Sequence, residues 1–218
     1  MKKIMFNDKY GRTQAVLEGR KTMTRRVITV PDKWHGIEVY GFSHVKGEHT
    51  LTLTDGDDFI IEDPDTGEIG QILPAYKPGD VVAVAQAYRN IPQFNPDTYE
   101  DVVLDYGTIC GASHPYSHLM RSSGWDNKMF VRADLMPHRI RITTVRVERL
   151  RDINSEDCLK EGIEARTAGC HTFYFAPGID WPFSFPKPAF AALIDKISGK
   201  GAWEKNPWVF VYTFELVI

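Results

Sequence analysis

The chain has 218 residues, 43% of them hydrophobic and 25% charged, with a formal net charge of −3. That is ample material for a core without disulfide or metal staples, and a charge just below zero excludes a protein that coats nucleic acid through its overall field. The three cysteines, Cys110, Cys158 and Cys170, have no CxxC spacing and suggest no disulfide framework.

The opening MKKIMFNDKYGR is too polar for a signal peptide, and no apolar run approaches the roughly 18 residues of a membrane span. A cytosolic chain with no membrane partner is expected. KKIMF predicts a short first strand. Residues 7–19 predict a short helix, with Asn7 or Asp8 as N-cap and Gly19 just past its end. KTMTRRVITV then becomes a strand stopped by Pro31.

Residues 32–70 hold two weakly alternating pieces, with Asp55-Gly56 as a hairpin turn. YKPGDVVAVAQAY predicts a turn and a buried strand. Residues 91–128 lack periodicity and read as an irregular insertion. HRIRITTVRVERL is the clearest strand, with Ile140 and Ile142 inward and the arginines outward or flanking. RDINSEDCLKEGI predicts a helix capped by Asn154 or Ser155, with Glu156 and Asp157 in its first turn. Residues 164–186 read as loop, KPAFAALIDKISG as an amphipathic helix ending at Gly199, and NPWVFVYTFELVI as a final strand. Together these predict one α+β domain over 1–218 on a mixed or antiparallel sheet, with insertions at about 32–70, 91–128 and 164–186; strands at both ends and in the middle suit a small barrel.

The stretch LEGRKTMTRR packs Arg20, Lys21, Arg25 and Arg26 beside Thr22 and Thr24. Its bland reading is a solvated turn and its sharper one an anion-binding or catalytic loop. Arg20, Arg25 and Arg26, with Arg139 and Arg141, have the forked donors that phosphate recognition uses, or they cover sheet edges and pair with acids. Tyr88, Trp125, Phe130 and Trp181 are candidates for base stacking. Cys110, His114 and His118, with Cys170 and His171, match no zinc spacing, so no metal and no cofactor is expected.

Four segments in order, VLEGRKTMTRR, KPGDVVAVAQAY, IRITTVRVERLRDINSEDCLKEGI and NPWVFVYTFELV, resemble the ASCH family, most of all its longer phage- and prophage-associated members, which also carry text like GWDNKMFVRADLMPH. The resemblance implies a PUA-like mixed β-barrel with short flanking helices and a cleft for RNA, a nucleotide or a modified nucleoside. One branch of that family hydrolyses the amide of N4-acetylcytidine. Carried over, its lysine, threonine and glutamate fall on Lys21, Thr24 and Glu161. Related sequences commonly show Trp, Arg and Glu where this chain has Ala83, Ala85 and Gln86; Gln86 and Tyr88 are then expected in the cleft wall.

Deacylation needs a nucleophile, a base and oxyanion donors. Thr24 supplies a hydroxyl. Lys21 serves as base only if burial or nearby cations lower its pKa from about 10.4, and Glu161 orients it or protonates the leaving amine. Three readings compete: a nucleic-acid or nucleotide binder, an amidohydrolase for an acylated nucleoside, and a phage accessory protein with a vestigial cleft that contacts a protein partner through 91–128.

Overall fold

The computed structural model describes residues 1–45, 48–55, 58–60, 69–94 and 116–217. The chain forms two compact units, neither continuous in sequence: Met1–Thr22, Gly79–Ile142 and Phe214–Ile218 make the first, Met23–Pro78 and Thr143–Thr213 the second. It is a mixed α+β protein with several sheets and few helices. No sheet closes into a barrel among the described residues, so a barrel expectation goes further than these strand orders do. No described helix is long and apolar enough to cross a membrane.

In the first unit β1 (Lys3–Ile4) lies parallel to β7 (Val81–Val84), which pairs antiparallel with the start of β8 (Arg139–Arg149). The run after the Pro-Gly-Asp turn is buried as expected, from Val82 to Tyr88. Its short side chains Ala83 and Ala85 pack with Tyr88, Ile91, Phe94, Leu119, Val131 and Met136. The helix expected over 7–19 comes in two pieces. Asn7 caps a 3-10 turn, Asp8–Tyr10, and Gly11 at φ 62° breaks it from α1 (Arg12–Leu17). Gly19 then takes φ 72° just past the helix end, where only glycine is unstrained. A further short helix, α2, spans Ser117–Met120.

In the second unit β2 (Met23–Val27) pairs antiparallel with β11 (Trp208–Val217), placing Thr24 opposite Tyr212 and Arg25 opposite Val211. Four antiparallel strands occupy the 32–70 insertion: β3 (Lys33–Trp34), β4 (Ile37–Val45), β5 (Glu48–Asp55) and β6 (Asp58–Ile60). Asp55 pairs with Asp58, which brackets the expected turn; Gly56 itself lies outside the described residues. The loop expected over 164–186 is corrected. It holds a hairpin of β9 (Glu164–Ala168) and β10 (His171–Phe175), turned at Gly169 with φ 62°. Phe183 then bridges Tyr174. A glycine two-residue turn between alternating segments carries that hairpin; the proline and aromatic content of the rest masks it in sequence.

Helix α3 (Ser155–Lys160) starts on Asn154, whose Oδ1 accepts from Asp157 N–H at 2.8 Å. Helix α4 (Pro186–Ser198) buries Ala189, Phe190 and Leu193. Those side chains pack with Met23, Leu150, Ile153, Cys158, Val209 and Val211 into the core of this unit. Its apolar floor is what holds one buried arginine and its acids in place.

Candidate functional site

Polar groups are buried in both units. In the first, α1 and the residues after β7 enclose a cavity of about 230 Å3, lined by Asp8, Gly11, Thr13, Gln14, Leu17, Gln86 and Asn90. None of these is a cation. Thr13 donates its hydroxyl hydrogen to Asp8 Oδ1 and stands 3.3 Å from the Phe6 carbonyl. Lys128 Nζ neutralises Asp8 at 2.8 Å. Gln86 is 9% exposed, and its Oε1 has no hydrogen-bond partner among the described residues. An unmatched buried acceptor costs about 1–3 kcal/mol.

Lys21 also belongs to the first unit. It follows Gly19 and Arg20, its amide donates to Ala15 O at 2.9 Å, and its ammonium lies 5.9 Å from the centroid of the Phe6 ring. The residue is 1% exposed, unusual for a lysine. Tyr88, expected in a cleft wall, is core instead: it packs edge-on against Phe94, and its hydroxyl accepts from Arg132 N–H at 2.7 Å. The physical reason is the turn after β7, which carries residue 88 inward while leaving Gln86 on the cavity. Trp125 packs partly buried against the same core, and Phe130 is exposed.

In the second unit a buried guanidinium organises three carboxylates. The Arg25 side chain is 2% exposed. Its Nε and Nη2 donate to Glu148 Oε1 at 3.1 and 2.6 Å, Nη2 to Asp157 Oδ2 at 3.1 Å, and Nη1 to Glu161 Oε1 at 3.4 Å. The Phe190 ring lies 5.9 Å from its Cζ. Arg146 completes the network from outside, donating to Glu148 Oε2 at 2.9 Å and to Asp157. Burial works against the Arg146 charge, but the hydrogen bond and charge of Glu148, joined by Asp157, outweigh it and hold its pKa above the ordinary arginine value. Asp157 and Glu161 reach Arg25 together because they stand four apart, one helical turn. Glu161 is 1% exposed rather than solvated, and Thr24 is buried at 2% on β2.

The remaining arginines divide by environment. The expectation that Arg25 meets phosphate is corrected: its donors are taken by carboxylates in the protein interior. Arg20 pairs with Glu18 at 2.5 Å on the surface, and Arg141 pairs with Glu215 at 3.0 Å. Arg26 and Arg139 are exposed on their strands, as is Trp181 in its loop. His118 and His171 are exposed, Cys110 and His114 lie outside the described residues, and no described group of His, Cys, Asp and Glu has a metal-site arrangement. The sequence reading missed Glu148 and Asp157 as arginine partners and Asp8, Thr13, Gln14 and Asn90 as cavity lining. The four-residue spacing of Asp157 and Glu161 was the available signal for the first group; the second has none. No family model, no curated protein and no solved structure matches this chain.

Proposed function

We propose that this is a nucleoside- and RNA-directed protein of the ASCH type, built on a PUA-like barrel, that removes the acyl group from a modified pyrimidine such as N4-acetylcytidine. The observation that supports it is burial: Lys21 is 1%, Thr24 2% and Glu161 1% exposed. Glu161 is held there by Arg25 at 3.4 Å, and buried titratable groups cluster where chemistry is done. In this reading the Thr24 hydroxyl attacks the acyl carbon with Lys21 as the base that takes its proton. The carbon–nitrogen bond breaks as that proton passes to the leaving amine, the Glu161 carboxylate orienting the lysine, and water then splits the threonyl ester to release acetate. The exposed Arg26 and Arg139 serve the phosphates of a longer RNA.

The test is release of acetate and cytidine from N4-acetylcytidine by the purified chain. Lys21→Ala, Thr24→Ala and Glu161→Gln should each lower the rate by about 10²-fold or more, with Thr24→Ser retaining part of it. Glu148→Gln, which also removes a carboxylate from Arg25, serves as the control for indirect effects. A wild-type protein that leaves the substrate intact, or variants as fast as wild type, overturns the reading.

A further inference from the structure

We propose that Arg25 is a positioning residue for the deacylation, its guanidinium holding the Glu161 carboxylate in its working orientation. The role rests on the hydrolytic reading above; the contacts that carry it do not. Arg25 Nη1 donates to Glu161 Oε1 at 3.4 Å, and the two side chains are 2% and 1% exposed. A carboxylate so far from water needs a fixed counter-charge, because no solvent dipole can turn to meet it. Glu161 is the C-cap residue of α3, and its amide donates to Asp157 O at 2.9 Å. The helix end thus sets where its backbone stands, and the guanidinium sets where its carboxylate goes.

The guanidinium is itself fixed by its other donors. Nε and Nη2 share Glu148 Oε1 at 3.1 and 2.6 Å, and Nη2 also meets Asp157 Oδ2 at 3.1 Å. Arg146 holds both of those acids from outside, at 2.9 Å to Glu148 Oε2 and through a hydrogen bond to Asp157. Nη1 is left to Glu161, with the Met23 thioether at 3.3 Å beside it. Glu148 and Asp157 have no part in the reaction, so their service is to aim the arginine. A planar fork can meet three carboxylates at set angles, whereas an ammonium is a point charge with no such geometry. Lysine at this position would keep the charge and lose the direction.

A double-mutant cycle on the full chain separates positioning from stability. Acetate release from N4-acetylcytidine is measured for wild type, Arg25→Lys, Glu161→Gln and the pair, each well below its own unfolding midpoint. Arg25→Lys should lower kcat about tenfold or more and leave KM within about twofold. In the Glu161→Gln background the same change should have no further effect on kcat, because the group it acts through is gone. An arginine with a structural role alone would lower the rate alike in both backgrounds. If Arg25→Lys does not fold, Asp157→Asn, which removes one support of the guanidinium, enters the same cycle with the same non-additivity expected. Full kcat in the folded variant, or equal losses in the two backgrounds, overturns the positioning role and leaves the hydrolysis standing. A wild-type chain that leaves N4-acetylcytidine intact sinks the hydrolysis and this role with it.

Discussion

Two nitrogens of Arg25 converge on one oxygen of Glu148: Nε stands 3.1 Å and Nη2 2.6 Å from Oε1, with the Arg25 side chain 2% exposed. The pair joins β2 to β8 within the second unit, and Asp157 and Glu161 add α3 to the same guanidinium. An arginine so enclosed organises its surroundings rather than greeting a ligand. Its forked, always charged head suits several carboxylates at once, which a lysine would not.

Removing one partner from such a network leaves buried charge without compensation. Arg25→Ala should therefore cost about 3–5 kcal/mol, seen as a lower urea midpoint at unchanged slope. Arg20→Ala removes an exposed pair with Glu18 and should leave the midpoint where it was. Equal effects of the two substitutions would show that the buried network carries no special weight.

Gly124 touches the ring that sequence had placed in a cleft. A Cβ at this position would lie 2.5 Å from Tyr88 Cε2 and 3.3 Å from Phe130 O. Gly124→Ala forces the buried tyrosine or the backbone to move, with an expected loss of about 1–3 kcal/mol. Thermal unfolding measures it. A midpoint equal to wild type would mean that Tyr88 is not fixed as a core side chain.

Cys158 gives the alkaline limb of stability a defined cause. Burial pushes its thiol from the ordinary 9.0 up to about 11, although the Arg25 charge pulls the other way. Below pH 9 folded and unfolded chains both hold the proton and the contribution is intact. Between about 9 and 11 the unfolded chain alone releases it, so stability falls by up to ~1.4 kcal/mol per pH unit. Burial raises Tyr76 and Tyr212 as well, adding to the same decline. Denaturant midpoints from pH 8 to 11 should fall less steeply in Cys158→Ala than in wild type; parallel curves would remove the thiol as a cause.

Elements with strong local periodicity were legible from residues alone. The alternation of Ile140 and Ile142 with arginines, the Asn154 cap, and the run from Pro186 to Gly199 each carry their signal within a few residues. The β9–β10 hairpin escaped notice because its strands are mostly exposed, so the apolar alternation that marks a half-buried strand is weak. Gly11 split a helix that composition left whole, since a positive φ is a backbone choice that side-chain pattern does not encode.

Sequence on its own determined the strands and helices with strong local periodicity, and it picked out Lys21, Thr24 and Glu161 as worth watching. Only the tertiary structure decided that Arg25 turns inward to carboxylates more than 120 residues away in the chain, that Tyr88 is core, and that Gln86 lines a cavity with α1. The reason is range. Backbone periodicity acts over a few positions, whereas desolvation and charge pairing depend on whatever distant segments pack alongside.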